Sequence, residues 1–230
     1  MKIGIITAMA GETQPLYQKM GKLADEINVA GVTIFKYEIN GNDIYLVRSG
    51  VGEIRAAMTF QLLVDKFDVD VVLNFGLVGS LDNRFEVGDI VFAGKIVHHQ
   101  FDTSAIDDVP AGQYDGNDSI YFHTDADLIK KVKDEIGEDI PVVTVASGDK
   151  FIASKEDKNH LRTFGADICE MECAGLIIAS KRNKVPLLSI KVISDKADES
   201  ADVSFGEVVR RGLTRYEEIF PAVLKAVCNK

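Results

Sequence analysis

The chain has 230 residues, 46% of them hydrophobic and 8% aromatic with no Trp, which supplies a sizeable core and excludes a disordered chain. Its 26 Lys and Arg against 36 Asp and Glu give a net charge of −10, which argues against nucleic acid or an anionic membrane as the main partner. No apolar run approaches a membrane span, the N-terminus lacks the pattern of a secretory signal, and three cysteines fit a reducing cytoplasm rather than a disulfide scaffold.

With no repeat, low-complexity tract or Pro/Ser-rich linker, residues 1–230 read as one domain. Lys2 to Thr7 is a strand buried from its first residues, and a polar-rich helix is expected from Glu12 to Ala24. Val32 to Glu38 and Asp43 to Ser49 form a hairpin about Asn40-Gly41. A helix over Glu53 to Lys66 carries Ala56, Ala57, Phe60 and Leu63 at helical spacing. Val69 to Phe75 is apolar throughout, as in a strand covered on both faces. Asp89 to His98 is a further strand, and 102–120 a long Asp- and Gly-containing loop of the kind that tends to be functional. Asp127 to Glu138 reads as helix, Pro141 to Ala146 as strand, Met171 to Lys181 as helix, Leu187 to Ser194 as strand and Phe205 to Val227 as the last helix. Strands alternating with helices, several apolar throughout, predict an α/β fold with a parallel or mixed sheet between helix layers.

Such sheets place chemistry in the loops leaving the carboxyl ends of their strands. That rule selects Ala8 to Glu12, Gly50 to Gly52, Gly76 to Ser80 and Ser194 to Asp198, with a fifth segment where Asp167 to Cys169 runs into Glu170-Met171-Glu172. Glu12, Glu172 and Asp195 thus stand at strand ends. In so acidic a chain each alone is more simply a solvated or helix-start charge, and only their convergence would carry meaning.

Other signals are weak. Gly50-Val51-Gly52 has Arg55 where a dinucleotide fingerprint needs its third glycine, so a tight turn is the better reading. Neither a phosphate-binding GxxxxGK[ST] loop nor a GxSxG elbow occurs. Adjacent His98 and His99 point to opposite strand faces and do not share a metal ion. Cys169 and Cys173 read as small buried residues. Lys191 interrupts the apolar strand 187–194, and a buried ammonium needs an anion. Asp195 lies about 13 Å along the strand, so Glu170 or Glu172 is the expected partner.

The segments Lys2-Ile3-Gly4-Ile5-Ile6-Thr7-Ala8-Met9-Ala10-Gly11-Glu12, Ser49-Gly50-Val51-Gly52, Val87-Gly88-Asp89-Ile90-Val91, Ser147-Gly148-Asp149-Lys150-Phe151-Ile152, Glu170-Met171-Glu172 and Ile193-Ser194-Asp195-Lys196-Ala197-Asp198 occur in this order. Together they resemble the 5′-methylthioadenosine/S-adenosylhomocysteine nucleosidases of the purine nucleoside phosphorylase superfamily. The resemblance implies a three-layer α/β/α fold around a mixed, partly barrel-like sheet, in a homodimer. It implies Glu12 as the general base for water and Asp195 as the acid that protonates adenine at N7. Glu172 would bind the ribose hydroxyls over Met171, and Phe151 and Ile152 would clamp the base. Ala8, Met9, Val51, Gly79, Ser194 and Phe205 match other pocket positions, and Thr103 and Ile106 match a loop that closes the neighbouring subunit's 5′ pocket. No metal or organic cofactor is implied. The 5′ substituent is left open among thioethers, a 5′-deoxy group and futalosine.

The chemistry is consistent with these roles. Breaking a ribosyl C–N bond leaves oxocarbenium character on the sugar and negative charge on the purine, so one carboxyl group must give a proton while another accepts one from water. Two positions depart from the family's usual pattern: Lys191 where an Arg is usual, and Leu77 where a Ser is usual. Two rival functions remain. A phosphorylase would need basic residues for phosphate, and the loops Thr7 to Glu12 and Gly76 to Ser80 have none. A nucleoside-binding protein without activity would not need Glu12 and Asp195.

Overall fold

The apolar run Lys2–Thr7 forms the first strand (β1) of a ten-stranded mixed sheet in the computed structural model, which describes residues 1–197 and 201–228, the side chains of 201–212 excepted. After it come α1 (Ala10–Met20), β2 (Leu23–Val29), β3 (Val32–Ile39), β4 (Asn42–Arg48) and α2 (Glu53–Phe67). The middle of the chain supplies β5 (Val71–Ser80), β6 (Ile90–His98), β7 (Phe122–His123), α3 (Ala126–Ile136) and β8 (Val142–Ser147). The remainder is α4 (Lys155–Arg162), β9 (Ile168–Glu170), α5 (Cys173–Asn183), β10 (Leu187–Asp195) and α6 (Ala201–Cys228).

Most expected elements are present, and the differences have physical causes. The helix expected over Glu12 to Ala24 starts at Ala10 and stops at Met20, and residues 23–29 are an edge strand instead. That strand is mostly solvent-exposed, so no buried face imposes alternation on its sequence. The α4 helix is equally silent to periodicity, since only Lys158 and Leu161 of its eight residues are buried. Its start is set by Ser154, whose Oγ accepts the Asp157 N–H. The hairpin turn is as expected: Asn40 and Gly41 both take positive φ, 51° and 76°, which a two-residue type I′ turn requires.

Strand order is β10-β6-β8-β9-β5-β1-β4-β3-β2, and β10 also pairs with β5. That second pairing closes β5, β10, β6, β8 and β9 into a five-stranded barrel, from which β1, β4, β3 and β2 extend as an open sheet. One face is covered by α1, α3 and α6 through Leu16, Ile129, Tyr216 and Phe220. The other is covered by α2 and α5 through Phe60, Leu63, Leu176 and Ile177. The result is the expected three-layer α/β/α arrangement.

This topology sets where chemistry can occur. The strands β4, β1, β5 and β10 run parallel, so their carboxyl ends share one edge. The short β9 crosses the end of β5 antiparallel, with Gly79 against Cys169, and so brings 170–172 to that edge. A register shift in β10 between Ile193 and Asp195 re-aims Asp195, as bulges beside functional sites do.

Candidate active site

The loop after β1 turns directly into α1, and this places Glu12 beneath its own turn. The Ala8 and Met9 N–H groups donate to Glu12 Oε2 at 2.9 and 2.8 Å, and the Leu77 N–H donates to Oε1 at 3.0 Å. Three amides from two strand ends thus fix one buried carboxylate. Burial pushes Glu12 above its usual value, against the pull of these amides and of the Lys191 charge. A positioned carboxylate made more basic suits proton abstraction.

Lys191 lies within β10 opposite Gly76 of β5. The missing side chain makes room for the ammonium, since a Cβ on Gly76 would fall 3.0 Å from Lys191 Nζ and 3.6 Å from Glu12 Oε1. Nζ donates to Glu170 Oε2 at 2.9 Å, both groups being fully buried. The sequence expectation of a Glu170 or Glu172 partner resolves to Glu170. Burial opposes the lysine's charge, yet Cys173, Glu170 and Glu172 around it hold it well above the usual lysine value. Burial likewise raises Glu170, and the Lys191 charge with its hydrogen bonds more than reverses that. Glu170 also accepts the Glu172 and Cys173 N–H groups, at 3.1 and 3.0 Å, which anchors the start of α5.

Glu172 is left without a cation of its own. Its Oε1 accepts the Gly52 N–H at 3.1 Å. Gly52 takes a φ of 109°, a backbone that residues with a Cβ rarely adopt, which is the structural reason for the Gly50-Val51-Gly52 turn. Burial, and then the neighbouring Glu170 charge, push Glu172 up to about 7, against Lys191 and the Gly52 amide.

Asp195 completes the edge. The Ala197 N–H donates to Oδ1 at 2.7 Å, and the Ser194 hydroxyl lies 2.6 Å from Oδ2. Gly79 permits this approach, because a Cβ there would sit 3.1 Å from Asp195 Oδ1 and 2.9 Å from the Ala197 Cβ.

One cavity of about 220 Å³ joins these groups. Glu12, Glu172 and Asp195 line it together with Ala8, Met9, Val51, Gly79, Met171 and Ser194. Phe151, half exposed, and buried Ile152 form another wall. Five lining residues were not among the sequence candidates: Leu77, Val78, Lys150, Cys169 and Glu170. Leu77, Val78, Cys169 and Glu170 lie in segments that the strand-end rule selects, and Lys150 lies in the Ser147-Gly148-Asp149-Lys150-Phe151-Ile152 motif beside the base-clamp positions. Lys150 is tied down, its Nζ donating to Asp157 at 2.7 Å. Thr103 and Ile106 do not line the cavity, and the side chain of Phe205 lies outside the described residues. His98 and His99 diverge as expected, His98 toward Glu53 and His99 toward Phe164.

The phosphorylase superfamily model matches residues 2–227. A curated relative, the 5′-methylthioadenosine/S-adenosylhomocysteine nucleosidase of Staphylococcus haemolyticus, is 30% identical over 98% of this chain and 100% of its own length. The chain belongs to the phosphorylase superfamily, in the family of these nucleosidases. The aminodeoxyfutalosine nucleosidase of Campylobacter jejuni is also 30% identical, over 91% of this chain and 92% of its own. Among solved structures, the futalosine hydrolase of Helicobacter pylori superposes with a TM-score of 0.92 at 29% identity, covering 97% of each chain. The nucleosidase of Streptococcus pneumoniae in complex with 8-aminoadenine gives 0.90 at 30% identity, covering 98% of this chain and 100% of its own.

Within this nucleosidase fold, the raised Glu172 carboxyl makes a stability prediction. The folded protein favours its protonated form, so the stability it contributes is full below the ordinary value of 4.5 and is lost as pH rises toward about 7. Glu172→Gln, uncharged at every pH, escapes that loss. Thermal unfolding is expected to show the variant melting above wild type near pH 8, with the gap closing near pH 4.5. A gap independent of pH would contradict the assignment.

Proposed function

We propose that this chain is a purine nucleosidase that hydrolyses the N-glycosidic bond of 5′-methylthioadenosine and S-adenosylhomocysteine, releasing adenine and the 5-thioribose. The observation that carries this reading is the convergence of buried Glu12, Glu172 and Asp195 on one cavity walled by Phe151 and Ile152. The activities of the curated relatives support it.

In this reading the adenine lies against Phe151 and presents N7 to Asp195. As the C1′–N9 bond breaks, its electron pair moves to the purine, and the Asp195 proton passes to N7. Water adds to C1′ from the side of Glu12, which takes the water's proton. Glu172 accepts hydrogen bonds from the ribose hydroxyls above Met171, and these strengthen as the ring gains positive character. Each proton transfer contributes about 10²–10⁴ in rate. Ala8, Met9, Val51, Gly79 and Ser194 shape the pocket around the sugar and base.

Hydrolysis is favoured over phosphorolysis because, among the described residues, the cations at the cavity already have carboxylate partners. Lys191 is committed to Glu170, and Lys150, the cation lining the cavity, is committed to Asp157. We read residues 1–230 as one domain that works without metal or organic cofactor. Three free cysteines, two of them buried, fit a reducing cytoplasm. No helix among the described residues is long and apolar enough to cross a membrane.

We further propose a homodimer. Val51, Ile54 and Met58 are 41%, 71% and 64% exposed and recur at helical spacing beside the cavity mouth. Ile106, 84% exposed, sits in the 102–120 loop that would meet this stripe on a second copy, with Thr103 at its base.

In phosphate-free buffer, 5′-methylthioadenosine is expected to yield free adenine at a rate that neither added phosphate nor a chelator changes. Release only after phosphate addition would make the protein a phosphorylase, and tight binding without release a binding protein. Sedimentation at assay concentration is expected to give a dimer; a fully active monomer would remove the shared-site reading.

A further inference from the structure

Behind the cavity wall lies a second buried polar cluster that the proposed chemistry does not use. Glu53, the first residue of α2, is buried at 7% exposure. Its Oε2 lies 2.8 Å from His98 Nε2, at the end of β6, and its Oε1 accepts the Ser147 hydroxyl, at the end of β8, at 2.9 Å. Ser147 Oγ in turn accepts the Ala174 N–H from the first turn of α5 at 2.9 Å. His98 Nδ1 lies 2.7 Å from the Tyr114 hydroxyl, and the Tyr114 ring stacks on Phe101 with centroids 3.8 Å apart. One carboxylate therefore joins β6, β8 and the 101–114 segment, and through Ser147 the start of α5.

The backbone beside this carboxylate is the part that reaches the cavity. The Gly52 N–H donates to Glu172, and the Glu53 N–H donates to Asp149 Oδ1 at 2.8 Å. The turn at 50–53 has little of its own to fix it, since Gly50 and Gly52, at φ of 83° and 109°, bring the backbone freedom of glycine. Beside the bond from its own amide to Asp149, the Glu53 side chain anchors the turn, one residue after the amide that matters.

We infer that His98 is a positioning residue: by clamping Glu53 it holds the 50–53 turn so that the Gly52 amide stays on Glu172. This rests on the reading of Glu172 as the ribose-binding carboxylate. Removing His98 leaves a buried carboxylate with the Ser147 hydroxyl as its side-chain partner. A buried charge stripped of a partner is costly, and the Glu53 side chain, with the turn that carries it, moves toward solvent to recover hydration. The Gly52 bond to Glu172 is then lost, and Glu172 meets the ribose hydroxyls in a poorer geometry.

The test compares His98→Phe, which keeps a ring and removes the polar atoms, with His98→Gln, which keeps an N–H donor. By NMR, the Gly52 amide is expected to exchange with solvent about tenfold faster in H98F than in wild type, a loss of about 1.4 kcal/mol in protection, and to recover in H98Q. In kinetics, H98F is expected to lower kcat/KM for 5′-methylthioadenosine about tenfold, through kcat as well as KM, because the Glu172 bonds strengthen in the transition state. The preference for the ribose substrate over its 2′-deoxy analogue should shrink by a similar factor, and H98Q should restore it. An unchanged Gly52 exchange rate in folded H98F, or an equal fall in kcat/KM for both substrates, would overturn the inference. If H98F does not fold, Tyr114→Phe, which removes only the hydroxyl bonded to His98, is expected to speed Gly52 exchange about threefold, and no change there overturns it as well. If wild type releases no adenine, the proposed function fails while the exchange measurement still decides the role of His98.

Discussion

A single buried ammonium organises this site. Lys191 has no solvent exposure and faces Glu170, with Glu172 and Glu12 close enough to feel its charge. One cation cannot neutralise three carboxylates in a medium that screens poorly. It satisfies Glu170, which takes the direct ion pair, while its weaker pull on Glu12 and Glu172 does not offset the burial that shifts both toward their protonated forms. The unequal sharing creates groups of different basicity within one cavity, the pattern from which acid and base roles arise. The pair also has an architectural consequence. Because Glu170 holds the Glu172 and Cys173 amides, stripping it of Lys191 would disturb the start of α5 as well as the charge balance, a loss of about 3–5 kcal/mol when a buried pair is broken.

The two departures from the family's pattern read differently once the geometry is known. A lysine offers a point charge rather than the bidentate fork of arginine. Here Glu170 makes up the difference with backbone amides, so a single N–H···O bond from Lys191 suffices. Leu77 lacks the hydroxyl usual at its position, yet its bond to Glu12 comes from the backbone N–H, at 3.0 Å from Oε1. That bond is indifferent to the side chain, which packs against the apolar cluster beneath. What hydroxyl and fork would have supplied is thus carried by main-chain groups that the fold fixes.

Much of this was legible in the sequence, for identifiable reasons. Strands β1, β5 and β10 are buried on both faces and announce themselves as apolar runs, and the Asn40-Gly41 turn has its own chemistry. Glu12 and Asp195 were found because they stand at the ends of β1 and β10, Glu172 because the short strand before it runs straight into a helix start, and Lys191 because an ammonium in an apolar strand demands a partner. The elements that escaped, β2, β7 and α4, bury little, so composition leaves no pattern. The Glu53–His98 contact escaped for another reason. It joins residues 45 positions apart across two layers, and a lone histidine at a strand end gives no sign of which carboxylate the fold will bring to it.

The account stands on the division of labour between Glu12 and Asp195, and leaving-group dependence tests it most directly. Rates of Glu12→Gln and Asp195→Asn would be compared on 5′-methylthioadenosine and on a 5-methylthioriboside whose nitrophenolate departs without protonation. Asp195→Asn is expected to lose about 10²–10⁴ in rate on the adenine nucleoside and to recover most of it on the nitrophenyl substrate. Glu12→Gln, which impairs the attacking water, is expected to be slowed alike on both. Equal rescue of the two variants by the activated leaving group would contradict the assignment of acid and base.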